Sequence, residues 1–220
     1  MISLPDFERA FDYENGFYLT CESSRVGKFL AHYELYKLAL RVPGDIVECG
    51  VFKGSSLSRF AMFSKLLDQN EARTIFGFDM FGPFPETGYE PDKSLRSDFV
   101  EAAGLESISE EQLMDVLRRK HCSKNVSLVA GNICETVPAF TSNNPALKIA
   151  LLNLDTDIYE PAVVILEHFW PKLSPGGVLI LDDYNVFPGE TAAVDTFFLG
   201  QNINIQRFPY AQTPSFIIKP

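Results

Sequence analysis

The chain is 220 residues long, enough for one domain with a full core. Hydrophobic residues make up 46% of it, including 19 Phe, which argues against a disordered chain. A formal net charge of −10 argues against nucleic acid or an anionic membrane as a main partner and suits a metal or a cationic ligand.

Residues 1–20 mix aromatics (Phe7, Phe11, Tyr13, Phe17, Tyr18) with acids and show no clear period, so they read as an irregular arm or lid, extending to residue 24. Acids precede any apolar run, so no signal peptide is visible; no stretch approaches membrane-spanning length, and the expected location is cytoplasmic. From Ser24 onward, Val26, Phe29, Leu30, Tyr33, Tyr36 and Leu40 recur at three- and four-residue steps, which predicts a packing helix stopped by Pro43-Gly44. Arg25 and Lys28 at its start are its only hint of a ligand role. The cysteines (Cys21, Cys49, Cys122, Cys134) show no close pairing of the kind zinc or redox work uses.

Asp45 to Gly50 predicts the first strand, ending in Glu48 and a glycine turn through Gly54, Ser55 and Ser56. Gly50 and Gly54 let backbone approach a ligand closely, and Ser55 or Ser56 can cap the helix that follows. The turn has neither the Lys-Ser/Thr of a phosphate cradle nor the dinucleotide glycine spacing. An acid at Glu48 would repel a pyrophosphate but can accept hydrogen bonds from an amino group, which favours S-adenosylmethionine. Thr74 to Asp79 is a second strand, and Asp79 stands where a ribose diol is bound in dinucleotide folds. Phe81 to Tyr89, rich in Pro and Gly, leaves the sheet as a loop, and residues 80–121 form an acceptor-side lid in which Ser109 with Gln112, or Ser107 with Glu110, has capping-box spacing. Val126 to Asn132 is a third strand; Gly131 and Asn132 at its end can edge an adenine or form a simple turn. His32, His121 and His168 read as structural.

The apolar run Ile149 to Leu154 ends in Asp155 and Asp157 and opens a helix with Pro161 in its first turn. Ser174-Pro175-Gly176-Gly177 turns into the strand Val178 to Leu181, which ends in Asp182 and Asp183. A helix from Thr191 to Leu199 precedes two short strands near Ile203 to Phe208 and Ser215 to Ile218. The alternation predicts an α/β, Rossmann-like fold: a mostly parallel sheet with helices on both faces and an antiparallel C-terminal hairpin. Three carboxylates brought together raise one another's pKa unless a cation offsets them, and hard oxygen ligands favour Mg²⁺ or Ca²⁺ over zinc. Asp157 can then accept a proton from a hydroxyl, or merely cap the helix at Tyr159. The metal reading requires Asp155 to lie beside Asp182 and Asp183, with neither strand tip tied up by a lysine or arginine.

Four segments in this order, E-C-G-V-F-K-G-S-S (48–56), F-G-F-D-M-F-G-P-F-P-E (76–86), L-D-T-D-I-Y-E-P (154–161) and L-S-P-G-G-V-L-I-L-D-D-Y (173–184), resemble the TylF-type macrocin O-methyltransferase family. The resemblance implies a seven-stranded class I methyltransferase fold and an S-adenosylmethionine- and Mg²⁺-dependent enzyme that methylates hydroxyls of sugar-containing small molecules. It implies Asp155, Asp182 and Asp183 as metal ligands, Asp157 as general base, and Glu48, Gly50 and Asp79 as cofactor-binding positions. Two alternatives compete with it. A metal-dependent glycosyltransferase would need basic residues for a diphosphate, and residues 151–184 offer only Lys172. A domain that binds S-adenosylmethionine without turnover is the other. A homo-oligomer is compatible with either.

Overall fold

The computed structural model describes residues 2–68 and 72–220. Two helices, α1 (Ala10–Thr20) and α2 (Ser23–Ala39), precede β1 (Asp45–Cys49), α3 (Ser55–Leu67) and β2 (Ile75–Asp79). An excursion then carries α4 (Lys93–Ala103) and α5 (Glu110–Arg119) before β3 (Val126–Ala130). The chain continues through α6 (Ile133–Asn143), β4 (Ile149–Leu154), α7 (Tyr159–Phe169), β5 (Leu173–Leu181) and α8 (Pro188–Phe197), and closes with β6 (Gln206–Arg207) and β7 (Ser215–Ile218). The sheet order is β3-β2-β1-β4-β5-β7-β6. β1 to β5 are parallel, and β7 is antiparallel to both β5 and β6.

Strand alternation divides the core in two. Ile46, Leu151, Val178 and Ile180 face the layer formed by α2 and α3, whereas Val47, Leu152, Leu154, Leu179 and Leu181 face α7 and α8. Ile165, Leu166 and Phe169 of α7 are fully buried, each contributing about 1.5–3 kcal/mol of hydrophobic stabilisation.

The order reverses between β1 and β4, the switch point where open α/β sheets bind ligands beyond their carboxyl ends. Register makes the tips level there: Cys49 pairs with Leu154, and Leu154 with Leu181. The next residues, Gly50, Asp155 and Asp182, therefore emerge side by side.

Several sequence expectations are corrected. α1 is a regular helix, not an irregular arm; none of its residues is buried, so no apolar stripe announced it. Ser174 to Gly177 lies within β5, where the pairing with β4 shifts register between Ile149 and Leu151. The last long helix starts at Pro188, three positions before the expected Thr191. The capping box at the start of α5 forms as expected, with Ser109 and Gln112 bonding reciprocally at 3.2 Å.

Candidate functional site

Level strand tips bring the acids together. Asp155, Asp182 and Asp183 each place a carboxylate oxygen within 4.8 Å of the others. Asp157 joins them from a left-handed backbone (φ 62°), uncommon for a non-glycine residue, and shares a side-chain hydrogen bond with Asp183. Asp157 does not cap α7: the amide of Tyr159 donates instead to Asp92 Oδ2 at 3.0 Å. Behind the cluster, buried Glu190 accepts from the Asp183 amide at 3.0 Å through Oε1, while its Oε2 has no partner.

This concentration of buried negative charge perturbs every member. Burial and then the neighbouring acids raise Asp155, Asp183 and Glu190 well above the usual carboxylate range. Asp157 is pushed up to about 7, by burial first and Asp155 second. Asp182 goes the other way: burial opposes it, but Lys28 and His32 pull it below the usual range.

That exception breaks one of the two conditions set for the metal reading: Asp155 does lie beside Asp182 and Asp183, but the tip of β5 is tied up by a lysine. Asp182 is tied to a lysine: Lys28 Nζ donates to Oδ2, and His32 Nε2 stands 3.3 Å from Oδ1. Arg59 Nη1 lies 2.8 Å from His32 Nδ1. An arginine offers only donors, so Nδ1 accepts and the ring proton sits on Nε2, aimed at Asp182. Burial lowers the His32 pKa, which agrees with a neutral ring. Lys28 thus supplies part of the positive charge that the sequence reading gave to a metal alone. His32, read as structural, positions a candidate ligand. Its signal was present in the spacing of Arg25, Lys28 and His32, three and then four residues apart on one face of α2.

On one side of Asp155 lies a cavity of about 660 Å³ whose walls include Gly50, Phe52, Asp79, Met80, Asn132 and Thr156. Its surface is mostly apolar, apart from Asp79, Asp155, Asp157 and the Thr156 hydroxyl, which is buried without a partner. Asp79 already accepts from the amides of Val51 (2.8 Å), Phe52 (2.9 Å) and Phe81 (2.7 Å), leaving about one of its four lone-pair positions for a ligand. Asn132 caps α6 by accepting from the Cys134 amide at 3.0 Å. Glu48 is fully buried and does not line the cavity; Ser56, which lines the second opening described below, donates to its Oε1, Oε2 has no partner, and burial pushes its pKa up to about 8.

The remaining glycine-turn positions take other places. A Cβ at Gly54 would meet Leu113 of α5 at 2.8 Å, so that glycine serves helix packing and does not face the cavity. Ser55 turns to a second opening, and Gly131 sits behind the rim beside Thr136. Gly50 faces the cavity, yet its lack of a side chain is required by the protein itself: a Cβ there would fall 1.6 Å from the Asp155 carbonyl oxygen.

The second opening, about 970 Å³, lies on the other side of Asp155 and is walled by Phe17 and Tyr18 of α1, Arg25, Lys28 and Phe29 of α2, and Arg59 of α3. The excursion after β2 is fastened over the first cavity by carboxylates that the sequence reading missed. Glu160 on α7 accepts from Thr87 Oγ1 (2.9 Å) and from the amides of Gly88 (2.7 Å) and Tyr89 (3.1 Å). Buried Asp92 accepts from both Tyr159 and Gly189, the latter at 2.7 Å, while Tyr89 stacks on Tyr159 at 4.6 Å.

A family profile described as Macrocin-O-methyltransferase (TylF) matches residues 32–208. The chain is 33% identical over 153 residues to the 8-demethyl-8-(2,3-dimethoxy-alpha-L-rhamnosyl)-tetracenomycin-C 4'-O-methyltransferase of Streptomyces olivaceus, covering 68% of this chain and 56% of that one. It is 30% identical over 160 residues to the demethyldecarbamoylnovobiocin O-methyltransferase of Streptomyces niveus, covering 71% and 58%. It therefore spans little more than half the length of these relatives. The crystal structure of the calicheamicin methyltransferase CalS11 superposes with a TM-score of 0.78 at 27% identity, over 98% of this chain and 86% of that one. The fold is that of the class I methyltransferases, and the chain belongs to the TylF macrocin O-methyltransferase family.

Proposed function

We propose that this chain is an S-adenosylmethionine- and Mg²⁺-dependent O-methyltransferase acting on a hydroxyl of a sugar-containing small molecule. The observation that carries the reading is the meeting of three carboxylate oxygens within 4.8 Å at the rim of a cofactor-sized cavity. The donor set fits a hard divalent cation: oxygen only, with buried negative charge that Lys28 does not fully offset. The cavity fits the cofactor through its apolar walls, the Asp79 and Asp155 carboxylates on its lining, and the unpartnered Thr156 hydroxyl. The Streptomyces olivaceus relative, whose name specifies an alpha-L-rhamnosyl compound, supports the acceptor class.

When bound, the ion supplies Lewis-acid charge beside the acceptor hydroxyl and S-adenosylmethionine supplies an electrophilic methyl. Asp155, Asp182 and Asp183 would hold the ion, with Asp182 oriented by His32 and Lys28 and Asp183 by Glu190. Asp157 takes the hydroxyl proton at its carboxylate; its raised pKa matches a base working near neutrality. The strap held by Glu160 and Asp92 excludes water from the cavity. Residues 1–24 and 80–121 border the two openings and select the acceptor.

The test is mass spectrometry of sugars, glycosides and nucleotide sugars incubated with the protein, S-adenosylmethionine and Mg²⁺. Gain of one methyl, lost in chelator, is expected; unchanged gain in chelator overturns the metal role. Cofactor binding without methyl gain on any acceptor would leave a binding domain.

A further inference from the structure

We propose that Asp92, which lies outside the carboxylate cluster and lines neither opening, is a positioning residue for the base: it clips the starts of α7 and α8 together and so holds Asp157 against Asp183. This rests on the methyltransferase reading, in which Asp157 takes the proton. Asp157 stands at the middle of a three-residue turn. The Ile158 amide donates to the Thr156 carbonyl at 2.6 Å, and the Asp157 φ of 62° lies in the left-handed region. Those two features are the marks of the rare, strained form of the γ-turn. A side chain stays in such a conformation only where its surroundings over-determine it.

The helices that flank the turn cannot hold it by themselves. Their N-cap residues, Ile158 for α7 and Phe187 for α8, are apolar and make no side-chain cap. One remote carboxylate caps both: Asp92 Oδ2 accepts from the Tyr159 amide and Oδ1 from the Gly189 amide. The next residue of α8, Glu190, donates its amide to the Asp157 carbonyl at 3.3 Å and accepts from the Asp183 amide through Oε1. Asp157 is thus gripped from two sides by elements that a single side chain fixes. The joint leaves no slack, since a Cβ at Gly189 would fall 1.9 Å from Asp92 Oδ2 and 2.5 Å from the Tyr159 nitrogen. Gly189 has no positive φ, so it is a glycine for want of room. Asn could not replace Asp92, because its one acceptor serves one helix start and its NH₂ faces the other amide. The segment that ends in Asp92 also carries Pro83, Phe84 and Pro85 on the cavity wall, so seating that wall and aligning the base are one event.

The test is Asp92→Asn in the whole chain, assayed with Mg²⁺, S-adenosylmethionine and the acceptor that mass spectrometry identifies. Its kcat should fall about tenfold or more, while acceptor KM, S-adenosylhomocysteine affinity by calorimetry and manganese affinity by electron paramagnetic resonance stay within about twofold. In an Asp157→Asn background the same change should alter kcat by less than about twofold, because the group it positions is already gone. An equal loss in both backgrounds, or weaker manganese binding in Asp92→Asn, makes Asp92 a general structural residue and overturns the proposal. Gly189→Ala forces the same carboxylate aside and should reproduce the loss and its disappearance; a folded Gly189→Ala with normal kcat also overturns it. A crystal structure of Asp92→Asn should show Asp157 out of the left-handed region or parted from Asp183, and an unmoved Asp157 is a third refutation. Absence of methyl transfer by the unaltered chain would sink the methyltransferase reading instead, and the crystal structure would then judge the clip alone.

Discussion

The two openings that meet at Asp155 are built in opposite ways. The cavity is walled mostly by apolar side chains and by loops that leave consecutive strand tips; its polar groups are short and held by backbone, as Asp79 is by three amides. The second opening is walled by long cations and exposed rings from α1, α2 and α3, none of them from a strand tip. The lesson is a division of labour. The sheet edge shapes an apolar cavity with a few fixed polar groups, and the helices preceding and following β1 add positive charge on the other side of Asp155.

Experiments can break or sharpen that division, beginning with the shared wall. Asp155→Asn should lower methyl transfer by about 10³-fold or more, because the cluster loses a charged donor while cofactor affinity survives. Manganese binding followed by electron paramagnetic resonance should weaken in parallel. Asp157→Asn should cost roughly 10²–10⁴-fold in turnover with manganese affinity retained, which separates the base from the ligands.

Glu48, buried at the end of β1, can be tested without turnover. Its folded pKa of about 8 lies above its ordinary 4.5, with Ser56, Arg59, Asp79 and Asp182 as the groups acting on it. The folded state therefore holds a proton that the unfolded chain releases between those values. Its contribution to stability is fully present below about pH 4.5 and is lost as pH rises through about 8, on the order of 5 kcal/mol at most. Glu48→Gln should flatten that part of the stability curve measured by urea unfolding at several pH values. Asp92→Ala strands two helix-start amides and should destabilise the fold by about 1–3 kcal/mol, again by urea unfolding. The smallest effect is expected from Cys134→Phe, which narrows the cavity: S-adenosylhomocysteine affinity measured by calorimetry should fall about tenfold while manganese affinity is retained.

The division also explains what could be read before any coordinates. The mostly parallel sheet and the meeting of Asp155 with Asp182 and Asp183 were legible because each strand is a short apolar run whose acids follow directly, and parallel register aligns the ends. The Arg25, Lys28 and His32 stripe was legible only in part: its spacing marks a helix face, but nothing in it names Asp182, 150 residues away from His32, as the object of that face. Asp92 and Glu160 were illegible. Their partners are backbone amides in distant loops, and an amide carries no sequence signature. α1 escaped for a related reason, since a helix that buries nothing needs no pattern.

The near-collision at Gly50 has a mechanical consequence. With the Asp155 carbonyl occupying the space of a missing side chain, the turn after β1 and the turn after β4 form one solid joint. A single added methyl, as in Gly50→Ala, cannot be absorbed locally and must lever the acid away from its companions. The backbone, more than any side-chain contact, thus sets the spacing between the cavity and the carboxylate cluster.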